Sequence, residues 1–198
     1  MKEVSVDTIA REIARMSIEA ACDLPKDVEA ALRAAAEQEE SAFGKYAMDK
    51  VCRNFEIARE QGVPMCQDTG MAIVFAEVGQ DVHIVGGSFE DAVNAGIAQG
   101  YADGYLRKST VIDPLFDRRN AGDNTPAIIY TRLVPGDSLT LTLMPKGAGS
   151  ENMSRLKMLK PAEGLAGVKD FVLQAVVEAG GNPCPPTIVG IGIGGTMD

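Results

Sequence analysis

The chain has 198 residues, a formal net charge of −9 at pH 7 and a pI near 4.7, and 45% of its residues are hydrophobic. This composition is typical of an ordinary globular protein, and the absence of an apolar leader or of an 18-residue apolar run predicts a cytoplasmic protein with no membrane segment. The acidic balance, with no Lys/Arg cluster, excludes nucleic acid as an expected partner. Four scattered cysteines without a CxxC pair argue against a disulfide scaffold or a zinc ribbon.

Helical periodicity covers the first third of the chain. Apolar residues spaced three or four apart predict a first helix over 7–22 and a second that begins at Pro25. A third helix is predicted over 41–60, where Gly62 supplies the stop. Residues 1–62 are therefore expected to form a helical region.

The pattern changes after this region. The apolar run 71–78 predicts a buried strand, and Ser88 begins a helix that continues to about Tyr105, with Gly96 and Gly100 placed to allow close packing. Two strand patterns, AIIYTRLV and SLTLTLM, are joined by Pro-Gly-Asp and predict an antiparallel hairpin.

The last quarter of the chain predicts one more helix and one more strand. Apolar residues from Leu165 to Val176 indicate a helix that Gly180 ends, and the apolar stretch 187–193 is typical of a buried strand. Residues 63–198 are thus expected to form a mixed sheet with packed helices. The whole chain is predicted to be a single α/β or α+β domain.

Cys66 lies in an unusual setting for a cysteine. It is followed by an amide, a carboxylate and a hydroxyl in the loop PMCQDTG, between a helix and a strand. Buried structural cysteines normally have apolar neighbours, as Cys22 and Cys52 have on their predicted helix faces. We therefore read those two as structural and Cys66 as a candidate for chemistry.

Cys184 lies between prolines in the sequence NPCPP. Prolines on both sides stiffen the backbone and would aim the thiol in one direction. A rigid loop with an incidental cysteine explains the same pattern equally well.

Three further polar segments are candidates for binding. The glycine-rich turn KGAGSEN (146–152) can present amides and a lysine to an anion, although no nucleotide-binding motif is present. Arg107, just past a predicted helix, suits a carboxylate partner. For the polar loop 117–125 we favour a solvated surface.

Four strings of the sequence carry a family resemblance: MCQDTG at 65–70, KGAGSENMS at 146–154, LKMLKPAEG at 156–164, and NPCPPTIVGIGIGGTMD at 182–198. Together they resemble the class I, iron–sulfur-dependent fumarases, in particular the α subunit of the two-subunit form. The resemblance extends from about residue 20 to residue 198.

The resemblance implies a [4Fe-4S] cluster held by three cysteines, two of which match Cys66 and Cys184. It also implies that Gln67 and Asp68 face a dicarboxylate substrate, with Asp68 as the catalytic carboxylate. Two more roles follow from it, because Arg107 would pair with a substrate carboxylate and Gly149 would approach the substrate through its backbone.

One departure from the family limits these roles. The third cluster cysteine of the family lies downstream of the string GIGGT, and no cysteine of this chain is left in a matching context. We therefore expect the chain to be a truncated form of the family's α subunit and to be inactive alone. Activity is expected to need a β subunit or C-terminal domain, in a homodimer or heterotetramer.

The resemblance leaves more than one activity open. The string GSENMS favours reversible hydration of fumarate to malate, a reaction of the tricarboxylic acid cycle. The first alternative is that the chain is the α subunit of the related tartrate dehydratase. A cluster-binding or assembly module without catalysis is the second. An electron-transfer protein is less favoured because such proteins usually supply four cysteines.

Overall fold

The structure, a computed structural model in which residues 2–196 are described, is an α/β fold with both parallel and antiparallel strand pairs. It divides into two compact units, Met1–Lys146 and Gly147–Asp198. In chain order the elements are β1 (Lys2–Ser5), α1 (Val6–Cys22), α2 (Lys26–Gln38), α3 (Ala42–Gln61), β2 (Met71–Gly79), β3 (Val82–Val85), α4 (Phe89–Asp103), β4 (Ile128–Val134), β5 (Leu139–Lys146), α5 (Ala148–Glu151), a 3-10 turn (Pro161–Glu163) and α6 (Gly164–Ala179).

The predicted helices of the first unit are confirmed, and serine caps explain where three of them begin. The hydroxyls of Ser5, Ser41 and Ser88 each accept a hydrogen bond from the amide three residues on, at the starts of α1, α3 and α4. Pro25 is the residue before α2 rather than its first helical residue. Among residues 2–196 no helix is both long and apolar enough to cross a membrane.

One part of the helical region is a strand. We expected helix throughout residues 1–62, but β1 pairs in parallel with β3, with Glu3 opposite His83. The expectation failed because four residues are too few to show a period, whereas the long-range pairing that defines this strand is invisible in sequence.

The core of the first unit forms where α1 crosses α4 on the inner face of the sheet. Ile13 and Ile97 are fully buried there. A Cβ atom added at Gly96 would lie 2.5 Å from the Ala10 carbonyl oxygen, and one added at Gly100 would lie 2.7 Å from the corresponding oxygen of Ala14. The two glycines therefore permit backbone-to-backbone contact between the helices, as their spacing predicted.

The predicted hairpin is wrong, because β4 and β5 do not pair with each other. The strand order is β4-β2-β5, so β2 lies between them, parallel to β4 and antiparallel to β5. Alternation of apolar and polar residues identifies a half-buried strand, but it carries no information about which strand lies next to it.

The short link between β4 and β5 crosses the end of β2. The amide of Gly79 donates to the Ser138 carbonyl at 2.8 Å, and the amide of Asp81 donates to the Gly136 carbonyl at 2.9 Å. A Cβ atom at Gly79 would lie 2.4 Å from the Gly136 oxygen, so the crossing requires glycine at this position. The segment predicted as a hairpin turn is instead a bridge over the central strand.

In the second unit the helix prediction is confirmed and the strand prediction is wrong. Helix α6 ends at Gly180, whose φ of +53° suits glycine. Within the described part of the chain, residues 187–193 join no sheet, and Ile188 and Ile193 are 82% and 76% exposed. A short apolar run specifies a strand only where a partner supplies the hydrogen-bond ladder.

We expect Gly96→Ala to lower the free energy of unfolding by about 1–3 kcal/mol, despite the higher helix propensity of alanine, because the new methyl group meets backbone of α1. Urea denaturation followed by circular dichroism measures this loss. Gly190→Ala is the matched control, since a Cβ there meets open space, and an equal loss in both variants would contradict the packing argument.

Candidate functional site

The loop between α3 and β2 forms one wall of a surface cavity of about 370 Å3. The cavity brings together three of the residues predicted from sequence, Cys66, Gln67 and Arg107, and the thiol of Cys66 is free and exposed. Its complete lining is Pro64, Met65, Cys66, Gln67, Thr69, Tyr105 and Arg107.

Backbone contacts hold the first half of this loop against the helices. The amide of Met65 donates to the Ala21 carbonyl at the end of α1 at 2.9 Å. The side-chain amide of Asn54, on α3, donates to the Met65 carbonyl at 2.8 Å. Cys66 therefore follows a residue whose two backbone groups are both fixed.

Thr69 ties the loop to the segment that carries Arg107. Its hydroxyl accepts from the Arg107 amide at 2.9 Å and donates to the Arg107 carbonyl at 3.3 Å. The Arg107 guanidinium in turn donates to the side-chain oxygen of Gln67 at 3.3 Å. The cationic group thus points toward the cavity with one of its five donors already held in place.

The end of the loop is fixed through the carbonyl of Gly70, which accepts two buried hydrogen bonds. One comes from the Tyr101 hydroxyl at 2.9 Å and one from the Asn124 side-chain amide at 3.1 Å. Burial, with a further contribution from the negative charge of Asp68, raises the pKa of Tyr101 to about 12. The phenol therefore remains a donor throughout the neutral range.

The prediction of a solvated surface for loop 117–125 is wrong at Asn124. This side chain is 1% exposed, and its oxygen accepts from the amides of Ser109 and Thr110 at 2.8 and 3.2 Å. Its φ of +65° lies in the left-handed region, which asparagine tolerates better than most residues. Sequence reasoning missed this residue because a polar loop residue buried by distant segments has the same local pattern as an exposed one.

The predicted catalytic carboxylate, Asp68, lies between Gln67 and Thr69 in the same loop. One of its oxygens accepts from the Gly70 amide at 3.2 Å, which closes a local turn. The negative charge of this carboxylate also contributes to the raised pKa of the Tyr101 phenol.

The remaining predicted residues, Gly149 and Cys184, belong to the second unit. Cys184 is free and exposed, and its φ of +59° is rare for a residue other than glycine or asparagine. A Cβ added at Gly149 would lie 3.4 Å from the Asn182 carbonyl oxygen. The glycine-rich turn therefore lies against the loop that carries Cys184. That Cys66 and Cys184 ligate one cluster stays a prediction.

The four cysteines differ in their fitness as iron ligands. Burial raises the pKa of the Cys22 and Cys52 thiols, because a desolvated thiolate is unfavourable. Cys66 and Cys184 are exposed and free, so their thiols are accessible to a metal centre. No group of three or more His, Cys, Asp or Glu side chains within residues 2–196 is arranged to hold a metal ion. Cys66 and Cys184 are thus the two accessible thiols, and the described residues contain no complete metal-ligand set.

Comparison with known proteins places these residues in a wider context. Residues 10–198 match the family described as Fumarate hydratase (Fumerase). A protein of Methanocaldococcus jannaschii assigned as an L(+)-tartrate dehydratase subunit alpha is 42% identical over a gapped alignment of 189 positions, which covers 91% of this chain and 65% of that protein. L(+)-tartrate dehydratase subunit alpha of Escherichia coli K12 and that of Shigella sonnei are each 27% identical over a gapped alignment of 201 positions, which covers 100% of this chain and 65% of each relative. The chain therefore spans just under two thirds of the length of these relatives.

We expect Asn124→Ala to lower the free energy of unfolding by about 2–4 kcal/mol, because it leaves the buried Gly70 carbonyl and two amides without this partner. Hydrogen exchange should rise at Ser109 and Thr110, whose amides donate to Asn124. Asn120→Ala is the control, since Asn120 is exposed and water replaces its bonds. Unchanged exchange at these amides would contradict the role given to Asn124.

Proposed function

Because this chain belongs to the fumarate hydratase (Fumerase) family, we propose that it is the α subunit of a hydro-lyase, which removes water from a four-carbon hydroxy-dicarboxylic acid or adds it back. The observation that carries this proposal is the cavity in which Cys66, Gln67 and Arg107 meet. A thiol, an amide and a guanidinium there provide a metal ligand, a neutral hydrogen-bonding group and an anion-binding group within one small space.

The favoured substrate is L(+)-tartrate. GSENMS predicted fumarate, but the relatives reported above are named L(+)-tartrate dehydratase subunit alpha, which supports the alternative better. Fumarate and malate are the second candidate pair, which the family description supports. Tartrate and malate each carry two carboxylates, and in each a carbon that bears a hydroxyl is bonded to a carbon that bears a hydrogen. The same elimination of water is therefore possible from both acids.

Substrate binding is assigned to Arg107 and Gln67. A guanidinium can hold a carboxylate through two parallel hydrogen bonds, and the contact with Gln67 fixes its orientation. Because Thr69 bonds both backbone groups of Arg107, the position of the cation is set by the same loop that carries Cys66. Gly149 is assigned a backbone contact with the substrate, as the family resemblance implies.

Proton transfer is assigned to Asp68. In dehydration a base removes the proton on one carbon while the hydroxyl leaves from the next, and both steps need a positioned acid or base. The Asp68 carboxylate has one oxygen engaged by the Gly70 amide. That hydrogen bond orients the group within the loop.

We assign Cys66 and Cys184 as two thiolate ligands of a [4Fe-4S] cluster. When bound, such a cluster with one open iron position supplies Lewis-acid assistance to the departing hydroxyl. Residues 2–196 supply no complete ligand set. The family resemblance implies a third cysteine downstream of GIGGT, and we assign that ligand to a β subunit or C-terminal domain, within an assembly such as a homodimer or heterotetramer.

The complex of this chain with its partner subunit, loaded with iron and sulfide under anaerobic conditions, should dehydrate L(+)-tartrate faster than malate. Tartrate turnover is followed as release of the keto acid, and malate turnover is followed as the absorbance of the fumarate formed. Asp68→Asn keeps the oxygen that accepts from Gly70 and removes the charge, so we expect kcat to fall about 100-fold or more. Asp81→Asn, on an exposed turn, is the control.

Three other results would change the assignment. Turnover of fumarate and malate without turnover of tartrate would return the fumarase assignment. A cluster-loaded complex that converts none of these acids would favour the assembly-module alternative. An active Asp68→Asn enzyme would remove Asp68 from the catalytic role.

Cysteine substitutions test the cluster assignment separately from turnover. We expect Cys66→Ser and Cys184→Ser to lose most of the bound iron and the visible absorbance after anaerobic reconstitution, because a hydroxyl is a poor replacement for a thiolate ligand. Cys52→Ser is the matched control and should retain both. Full iron content in either of the first two variants would exclude that cysteine as a ligand.

A further inference from the structure

The C-terminus of α4 contains a residue in an unfavourable backbone conformation. The amide of Leu106 donates to the Tyr101 carbonyl at 3.0 Å, and the amide of Tyr105 donates to the Ala102 carbonyl at 3.3 Å. This pair of bonds is the Schellman motif, which requires left-handed backbone at the position that Tyr105 occupies. Tyr105 accordingly has a φ of +53°.

The same chain shows the usual solution at another helix. At the end of α3 the amide of Val63 donates to the Ala58 carbonyl at 3.1 Å, and the left-handed residue is Gly62, with a φ of +64°. Glycine adopts this conformation without steric cost, whereas a residue with a Cβ atom does not. A bulky aromatic residue at the equivalent position of α4 is therefore destabilising relative to glycine.

Packing does not compensate for the conformation of Tyr105. Its side chain is 93% exposed, so burial within residues 2–196 contributes little to folding. The neighbouring Leu106 is the residue that packs into the core, at 5% exposure. Non-glycine residues in strained conformations without a structural benefit are concentrated at functional sites.

The position of Tyr105 indicates what that function is. Tyr105 lines the same cavity as Cys66, Gln67 and Arg107. With Leu106 buried between them, Tyr105 and Arg107 both remain on the solvent side of the segment and border the same space. A phenol beside a guanidinium adds a group that can donate and accept a hydrogen bond, which a hydroxyl of the substrate needs.

We propose that Tyr105 is a substrate-contacting residue that selects hydroxylated dicarboxylates, through a hydrogen bond between its phenol and a substrate hydroxyl. This inference rests on the hydro-lyase function proposed above. A hydrogen bond from the phenol to a substrate hydroxyl adds binding free energy that an acid without a hydroxyl does not gain. Tyr105 would therefore favour tartrate and malate, which carry hydroxyls, over fumarate, which carries none.

Two substitutions separate the backbone cost from the side-chain function. Tyr105→Gly relieves the left-handed strain, a gain that the added freedom of the unfolded chain partly offsets, so the folding equilibrium should shift toward the folded state by about fivefold. The same variant should raise KM for L(+)-tartrate by about tenfold, the equivalent of one lost hydrogen bond. A residue with a purely structural role would not change stability and substrate affinity in opposite directions.

Tyr105→Phe isolates the hydroxyl, because the ring and the strained backbone both stay. We expect KM for tartrate and malate to rise about tenfold and KM for fumarate to change less than twofold, with an unchanged urea midpoint. Tyr46→Phe, on the exposed side of α3, is the matched control and should change none of these values. These measurements use the anaerobically loaded complex with its partner subunit.

The outcomes distinguish this inference from the function on which it rests. If the wild-type complex turns over tartrate or malate and both Tyr105 variants keep the wild-type KM for that acid, the inference is overturned and the function stands. If the wild-type complex turns over none, calorimetric binding of L(+)-tartrate to the complex decides. Loss of that binding in Tyr105→Gly supports the contact, whereas equal binding, or none to the wild type, overturns it.

Discussion

The carbonyl oxygen of Gly70 is the point on which the geometry of the candidate site depends. It accepts hydrogen bonds from two buried side chains, the Tyr101 hydroxyl on α4 and the Asn124 amide on a distant loop. The same asparagine holds the amides that follow Arg107. Because buried polar groups are costly to leave unpaired, this network fixes three separate segments at once. The backbone on both sides of the cavity is therefore positioned by one set of buried hydrogen bonds.

The close contact between α1 and α4 makes this network possible. Gly96 and Gly100 let the two helices approach at backbone distance, and this brings the C-terminal turn of α4, with Tyr101, under the loop that ends at Gly70. A larger residue at either glycine would push α4 outward and would move the donor away from its acceptor. The packing of α4 against α1 thus determines where Tyr101, on the same helix, meets the loop of the candidate site.

Local patterns in the sequence predicted the elements but not their arrangement. The helices were found because their apolar faces, serine caps and terminal glycines are local signals. The hairpin prediction failed because strand order is set by long-range pairing, which places β2 between β4 and β5. The same limit applies to the site. The loop around Cys66 was conspicuous because of its unusual neighbours in the sequence. Asn124 was not conspicuous, since its hydrogen-bond partners Gly70 and Ser109 are 54 and 15 positions away along the chain.

The two sides of the cavity begin in the same way, and the comparison between them separates folding from function. Each side starts at the C-terminus of a helix that is followed by a left-handed residue, α3 before the loop of Cys66 and α4 before the segment of Arg107. At α3 the left-handed position is Gly62, the residue that folding alone would select. At α4 it is Tyr105, which is exposed and borders the cavity. Under the role proposed for Tyr105, the left-handed position keeps a tyrosine because its side chain reaches a bound substrate, a requirement that is separate from stability.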